Sequence, residues 1–258
     1  MIDIHTHILP GLDDGSSSVE DTIAMAKAAV SEGITAMVAT PHHGNDYFDN
    51  EAASIQDAVG QMNRILQQHY IPLTIMPGQE ARISSRFIDD FHAQRIQPLN
   101  QTCYILIEFP SQHIPDNIEN IFHELHVKGK VPIIAHPERN REIIAHPDRL
   151  VTLCRMGALT QVTSHSINGR FGKKLQRFAI DLCRRQLVHF VASDVHNLTF
   201  RPFHLAQAYE VIEHYLDSDT SKQLQSNAEQ LIQGATLSLP DPEPWGKKVY
   251  AWKSWLNY

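Results

Sequence analysis

The sequence predicts an α/β fold, one domain of βα repeats with parallel strands, in the size range of an α/β barrel. Three observations predict it. Short β-type apolar runs alternate with longer helical patterns along the chain, and no linker, repeat or low-complexity stretch divides them. The length of 258 residues is long for an ordinary domain but usual for a single α/β barrel. Such a chain buries a large core without needing disulfides. The domain is expected to span 1–258, with an aromatic tail over about 238–258.

Seven runs read as strands: Ile2–His5, Ile34–Ala39, Leu73–Met76, Tyr104–Glu108, Val131–Ala135, Leu159–Val162 and Val188–Ala192. Each is apolar almost throughout, as a strand covered on both faces requires. Between the first two lies a helix with Ser17 and Glu20 at capping-box spacing and Gly33 at its exit. A second helix is predicted from about Asn50 to Gln68, turning Ile55, Val59, Met62 and Leu66 inward. A third runs from near Pro115 to Gly129, and others over Pro147–Met156, Lys173–Arg185, Pro202–Leu216 and Ser221–Ile232. The three tryptophans, Trp245, Trp252 and Trp255, all follow the Pro-rich stretch Leu239–Pro244. The plain expectation is an aromatic tail packed on its own barrel, the sharper one a subunit contact that makes an oligomer possible.

Composition excludes several classes. Lys+Arg number 22 against 29 Asp+Glu, a formal charge of −7, which argues against nucleic acid and anionic membranes as partners. Cys103, Cys154 and Cys183 are an odd, widely spaced set with no CxxC, so neither a disulfide framework nor a thiolate zinc site is expected. The opening Met1-Ile2-Asp3-Ile4-His5-Thr6-His7 lacks a basic region followed by an apolar run, and no segment reaches about 18 consecutive apolar residues. These features predict a cytoplasmic setting without membrane insertion.

The 16 histidines carry the functional signal through their placement. Strand one ends in His5, with His7 two residues on and Asp13-Asp14 in the following loop. Strand two runs into His42, strand three into Glu80, and strand four ends at Glu108. Strand five leads into His136 and strand seven into Asp194 and His196. In a βα barrel the C-terminal strand ends meet on one face, which carries the chemistry. Six of the seven strands thus deliver a metal-type ligand to one place, where packing alone favours apolar residues. Imidazole and carboxylate without thiolate suit Mn, Fe or Zn. The nine candidates, His5, His7, Asp14, His42, Glu80, Glu108, His136, Asp194 and His196, exceed the three protein ligands of a mononuclear zinc enzyme. Two or three clustered ions sharing a bridging carboxylate are therefore expected, an arrangement suited to phosphoryl transfer.

In this order and context, Ile2-Asp3-Ile4-His5-Thr6-His7, Asp13-Asp14-Gly15, Thr40-Pro41-His42, Gly78-Gln79-Glu80, Ile107-Glu108-Phe109, Ala135-His136-Pro137-Glu138-Arg139, Ala192-Ser193-Asp194-Val195-His196-Asn197 and Arg201-Pro202 resemble the PHP (polymerase and histidinol phosphatase) superfamily. Within it the chain is similar to the bacterial manganese-dependent tyrosine phosphatases of capsule and exopolysaccharide operons. The resemblance covers residues 1 to about 202 strongly and fades after about Gly234. It implies a distorted (β/α)7 barrel and up to three ions, Mn2+ first, with Fe or Zn as alternatives. His5, His7, Glu80 and Asp194 would hold one ion, Glu80, Glu108 and His136 a second, and Asp14, His42 and His196 the third. Arg139 and Arg201 match arginines that hold phosphate in the family, a role that also suits the forked donors of a guanidinium. The implied activity is hydrolysis of phosphotyrosine by metal-activated water, with a tyrosine autokinase as the phosphoprotein partner. Histidinol-phosphate hydrolysis is the nearest alternative, an amidohydrolase-like activity a more distant one, and a catalytically silent PHP scaffold a third.

Other residues are expected to be bystanders. Ala145-His146-Pro147-Asp148-Arg149 nearly repeats the His136 motif, but it falls where a helix begins. His43, His113 and His165 are read as rim or supporting residues, and His69, His92, His123, His126, His189, His204 and His214 as lying off the site. A cysteine phosphatase needs Arg six positions after its thiolate. Those positions here hold Phe109, Thr160 and His189.

Overall fold

The computed structural model describes residues 1–237 and 239–246. Nine short strands occur among them: β1 (Ile2–Thr6), β2 (Ala36–Ala39), β3 (His42–His43), β4 (Thr74–Pro77), β5 (Glu80–Arg82), β6 (Tyr104–Glu108), β7 (Val131–Ala135), β8 (Leu159–Thr163) and β9 (Phe190–Ala192). All their pairings are parallel. One sheet has the order β1-β2-β4, the other β3-β5-β6-β7-β8-β9.

The nine strands form seven staves, as the sequence predicts. Staves two and three are each interrupted, at Thr40-Pro41 and at Gly78-Gln79. Ala36 pairs with Thr74 below the break, and His42 with Glu80 above it in the same register. Pro41 has no amide for the ladder. Side chains replace the missing main-chain bonds: Thr40 Oγ1 accepts from Thr6 N at 3.0 Å, and Gln79 Oε1 accepts from Gln97 N at 2.9 Å. The barrel closes where β1 meets the end of β9, with a parallel bridge Thr6–Val195 and amides of His7 and Asp194 donating to Val195 O and His5 O at 2.9 Å. The fold is a distorted (β/α)7 barrel.

A bulge in β1 decides where the first histidine points. Asp3 pairs with Met37 and Thr6 with Ala39, so β1 carries one residue more than β2 over that span. Ile4 packs in the inner cluster with Val38, Leu106 and Ile133, while the next side chain, His5, also turns inward and meets Gln161. Regular alternation would send His5 outward. The buried Asp3 holds the bulge: its Oδ1 accepts from His5 N at 3.4 Å and Ser193 N at 3.1 Å. Burial pushes the Asp3 carboxyl up to about 6, against the pull of those bonds.

Ten helices surround the strands among the described residues: α1 (Val19–Ser31), α2 (Ala52–Gln68), α3 (Phe87–His92), α4 (Ile118–Val127), α5 (Arg141–Ala145), α6 (Asp148–Arg155), α7 (Ser164–Ile167), α8 (Lys173–Arg184), α9 (Leu205–Tyr215) and α10 (Ser218–Ile232). Ile55, Val59, Met62 and Leu66 of α2 are buried, as predicted. The α1 cap is Ser18 instead of Ser17. Ser18 has the extended backbone a cap requires and accepts from Asp21 N, whereas the Ser17 hydroxyl bonds the Asp21 carboxylate. Helix α2 starts after Asn50, whose amide donates to Leu12 O and His42 O. Helix α10 starts earlier than Ser221 because Asp217 caps it. Apolar residues form a shell between strands and helices and a separate inner plug, to which Ala228 and Leu231 of α10 contribute.

In the tail, Trp245 stacks edge-on against Phe178 at 5.7 Å with the Arg185 guanidinium 4.7 Å from its ring. This part of the tail packs on the barrel, as expected. Trp252 and Trp255 lie outside the described residues.

Asp3→Ala leaves the amides of His5 and Ser193 without their buried acceptor. It should cost about 1–3 kcal/mol in urea unfolding, whereas Asp3→Asn, which keeps the acceptor, should stay closer to wild type. Equal midpoints for the two variants would contradict this role for the bulge.

Candidate metal centre

All nine predicted ligand residues meet at the C-terminal ends of the strands, around Glu80. Glu80 Oε2 lies 2.9 Å from His42 Nδ1, 3.4 Å from His5 Nε2 and 3.5 Å from His7 Nε2. Asp194 Oδ1 lies 3.4 Å from His5 Nε2 and 3.3 Å from His7 Nε2. Asp14 Oδ1 sits 3.5 Å from His42 Nε2 and 3.3 Å from His196 Nε2. His136 Nε2 is 2.8 Å from Glu80 Oε1 and 4.0 Å from Glu108 Oε1. Three overlapping groups have ligand atoms within reach of one ion: His5, His7 and Glu80; His7, Asp14, His42 and His196; and His42, Glu80 and Glu108. They differ from the implied partition in three respects: Asp194 is absent from the first group, His7 joins the second, and the third changes its histidine. His42, rather than His136, completes the group with Glu80 and Glu108.

The donor atoms fit a cation. Glu80 Oε2, His42 Nδ1 and His196 Nε2 are buried and make no hydrogen bond, although each faces a polar atom of opposite character. In folded proteins roughly nine in ten buried polar groups find a partner, and these three unpaired atoms lie together at one place. A carboxylate oxygen ringed by imidazole nitrogens at such distances has the arrangement that metal coordination satisfies.

Backbone geometry aims two of these side chains. His136 (φ 34°) and Asp194 (φ 54°) both take left-handed conformations as the chain leaves β7 and β9. That conformation is uncommon outside glycine and concentrates at functional sites. Close approach matters at Gly15, where a Cβ would fall 2.1 Å from His7 O. Only glycine lets the Asp13-Asp14 loop lie this tightly on His7.

Burial opposes charge in this cluster, yet mutual attraction outweighs it. Burial would lower His5 and His7, but Glu80 and Asp194 beside His5, and Asp13 beside His7, raise both. Burial would raise Glu80 and Asp194. The neighbouring histidines, and for Asp194 also Arg201 and Arg139, hold them well below the usual carboxylate range. His196 goes the other way, pushed down to about 4 by burial and then by His7.

Arg139 and Arg201 also arrive at the centre. Arg139 Nη1 donates to Asp194 Oδ2 at 2.8 Å, and Arg201 Nη2 donates to the same oxygen. Both guanidiniums stand part-exposed over the buried cluster.

Three supporting residues escaped sequence reasoning. Asp13 Oδ2 is 2.6 Å from His7 Nδ1 and accepts from His42 N at 3.1 Å, while its Oδ1 accepts from Gly15 N. It orients His7 from behind, a common partner for a ligating imidazole. The Asp13-Asp14 pair was visible in sequence, but not which carboxylate faces which way. Gln161 Oε1 bonds His5 Nδ1 at 2.9 Å, and its polar side chain in an apolar strand was an available signal. Arg82 Nη1 pairs with Glu108 Oε2 at 2.8 Å.

The remaining histidines stand apart from the three groups. His43 is buried between Asp49 and Asp90, and His165 is buried beside Phe171 and His204. The cysteines lie elsewhere: Cys103 precedes β6, Cys154 is in α6 and Cys183 is in α8. Burial pushes the Cys154 and Cys183 thiols up to about 12.

The chain is similar to known proteins along most of its length. The family described as capsular polysaccharide synthesis, CpsB/CapC, matches residues 1–233. The tyrosine-protein phosphatase YwqE of Bacillus subtilis (strain 168) is 46% identical over 244 residues, covering 95% of this chain and 96% of that protein. The putative tyrosine-protein phosphatase CapC of Staphylococcus aureus is 38% identical, covering 84% and 88%. A crystal structure from work on YwqE of Bacillus subtilis and CpsB of Streptococcus pneumoniae, described as unique metal-dependent tyrosine phosphatases, superposes with a TM-score of 0.92 at 45% identity, over 96% of this chain and 100% of the other. A histidinol phosphate phosphatase from Lactococcus lactis shares the fold, with a TM-score of 0.51 at 13% identity, over 84% of this chain and 95% of the other. The chain belongs to the CpsB/CapC family of capsular polysaccharide synthesis.

Proposed function

We propose that this chain is a metal-dependent protein-tyrosine phosphatase that removes phosphate from a phosphoprotein of capsule or exopolysaccharide synthesis, a bacterial tyrosine autokinase being the partner. The observation that carries the reading is the cluster around Glu80 Oε2, with two arginines mounted over it on Asp194. His5, His7, Glu80 and Asp194 would hold one ion, Asp14, His42 and His196 another, and Glu80 and Glu108 a third with His136 or His42. Oxygen and imidazole donors suit Mn2+, Fe and Zn alike, and the resemblance to manganese-dependent phosphatases puts Mn2+ first. Ions so placed would supply activation of a water nucleophile and neutralisation of phosphate charge.

The chain's own residues do the rest. Each guanidinium has five N–H donors and engages Asp194 through one of them, so others are presented to phosphoryl oxygens. Asp194 thereby fixes both forks at one height over the cluster. Arg139 and Arg201 oppose the negative charge of the transferring group in the transition state. The carboxylates around His5 and His7 raise their affinity for protons, which would compete with a metal ion for the same nitrogens, so loading should weaken as pH falls. A cysteine nucleophile has no candidate here, because the cysteines lie away from the cluster and burial raises the thiols of Cys154 and Cys183.

The direct experiment is hydrolysis of a phosphotyrosyl peptide and of p-nitrophenyl phosphate by protein stripped of metal and then supplied with Mn2+, Fe2+ or Zn2+. Activity should vanish on chelation and return best with Mn2+. Turnover that survives both chelation and His136→Ala rejects the mechanism, and a higher kcat/KM on histidinol phosphate than on the peptide moves the substrate to the small-metabolite class. Arg139→Ala and Arg201→Ala should each lower kcat/KM by about 10- to 100-fold, the worth of a charged hydrogen bond. Arg→Lys at either position should recover only part, since an ammonium lacks the fork.

A further inference from the structure

One of the seven staves brings none of the nine ligand residues to the barrel mouth. Stave β8 supplies Gln161 behind His5 and then leads into α7 and the loop 168–172. At the tip of that loop Phe171 is exposed to solvent, at 42% of its surface. A lone exposed phenylalanine needs no explanation, but this one is built into place. Gly169 and Gly172 take φ of +75° and +98°, which lets the chain turn tightly on both sides of it. The turn is bonded through Gly172 N to Gly169 O at 3.0 Å and Arg170 N to His165 O at 3.0 Å. Asn168 Nδ2 ties the loop to His204 O at 2.9 Å. The Phe171 ring lies against two groups of the mouth. The Arg139 guanidinium is 5.7 Å from its centroid, and the buried His165 ring stacks at 5.5 Å and 26°.

We propose that Phe171 is a specificity-determining residue: its ring is the platform on which the aromatic ring of the phosphotyrosyl substrate lies while Arg139 engages the phosphoryl group. This inference rests on the phosphatase reading above and adds the recognition of the aryl group to it. In an aryl phosphate the ring is joined to phosphorus through a single oxygen, so a held phosphoryl group keeps the ring within one side chain's reach. Phe171 stands at that reach from Arg139, whose guanidinium is held by Asp194. An alkyl phosphate has no face to offer the platform. Aryl over alkyl selectivity then comes from an apolar contact at the rim, independent of the cluster that handles the phosphoryl group.

The test uses full-length, Mn2+-loaded protein, wild type against Phe171→Ala and Phe171→Tyr. Calorimetric titration with a peptide bearing phosphonomethyl-phenylalanine reads the ring and the anion together, and titration with inorganic phosphate reads the anion alone. Phe171→Ala should weaken the peptide by about three- to tenfold, the range an aromatic pair contributes, and leave inorganic phosphate within about twofold. Phe171→Tyr should restore peptide binding. Equal weakening of both ligands would show that the ring only props Arg139, and unchanged peptide binding would show that it contacts no substrate. Either result overturns the inference while wild-type hydrolysis of the phosphotyrosyl peptide upholds the phosphatase reading. Wild-type protein that neither hydrolyses the peptide nor binds phosphate overturns both.

Discussion

The structure depends on a concentration of charge that the fold has to hold together from six of its seven staves. Glu80 and Asp194 are buried carboxylates, and His5, His7 and His42 close on Glu80 at 2.9–3.5 Å. Burying one such carboxylate alone costs several kcal/mol. Here opposite charges compensate it, and the arginines on Asp194 extend the compensation to the surface. Several irregularities near the barrel mouth meet this demand. The bulge in β1, the breaks after β2 and β4, and the left-handed turns at His136 and Asp194 each send one polar side chain inward where regular strands would send apolar ones.

The rest of the barrel compensates for those irregularities with regular packing. The outer shell joins strands to helices in one apolar cluster, and the inner plug fills the barrel beneath the site. Polar side chains then repair the ladder where it is cut: Thr40 for the break in stave two, Gln79 for stave three, Asp3 for the bulge. The division is familiar in βα barrels, with stability from the lower layers and chemistry at the upper loops. It also separates the roles of neighbouring residues. Asp13 and Gln161 orient imidazoles, Asp194 positions two guanidiniums, and Phe171 lies at the rim.

Among the described residues, no helix is long and apolar enough to cross a membrane. The family's association with capsular polysaccharide synthesis therefore brings no transmembrane segment into the described part of this chain. The packing of Trp245 on Phe178 and Arg185 ties the start of the aromatic tail to α8, on the outer side of the barrel.

Strand positions and ligand identities were legible in the linear chain because both are local. An apolar run of four to six residues is a buried strand whatever surrounds it, and a His or Asp just past its end is carried to the same barrel face. All seven staves and the convergence of all nine side chains follow from that. Short elements were not legible: α3, α5 and α7 have too few turns for a periodic pattern to emerge. Nor was the α1 cap, since Ser17 and Ser18 are adjacent and the backbone conformation chooses between them. What needed the folded molecule was orientation. Whether His5 faces in or out depends on one extra residue in β1, which strand pairing alone reveals. Which of Asp13 and Asp14 braces His7, and which histidine stands nearest Glu108, depend on loops that meet only when the barrel closes. Composition and order travel with the chain, but contacts between groups 190 residues apart, such as the Asp3 carboxylate and the Ser193 amide, exist only in the closed ring.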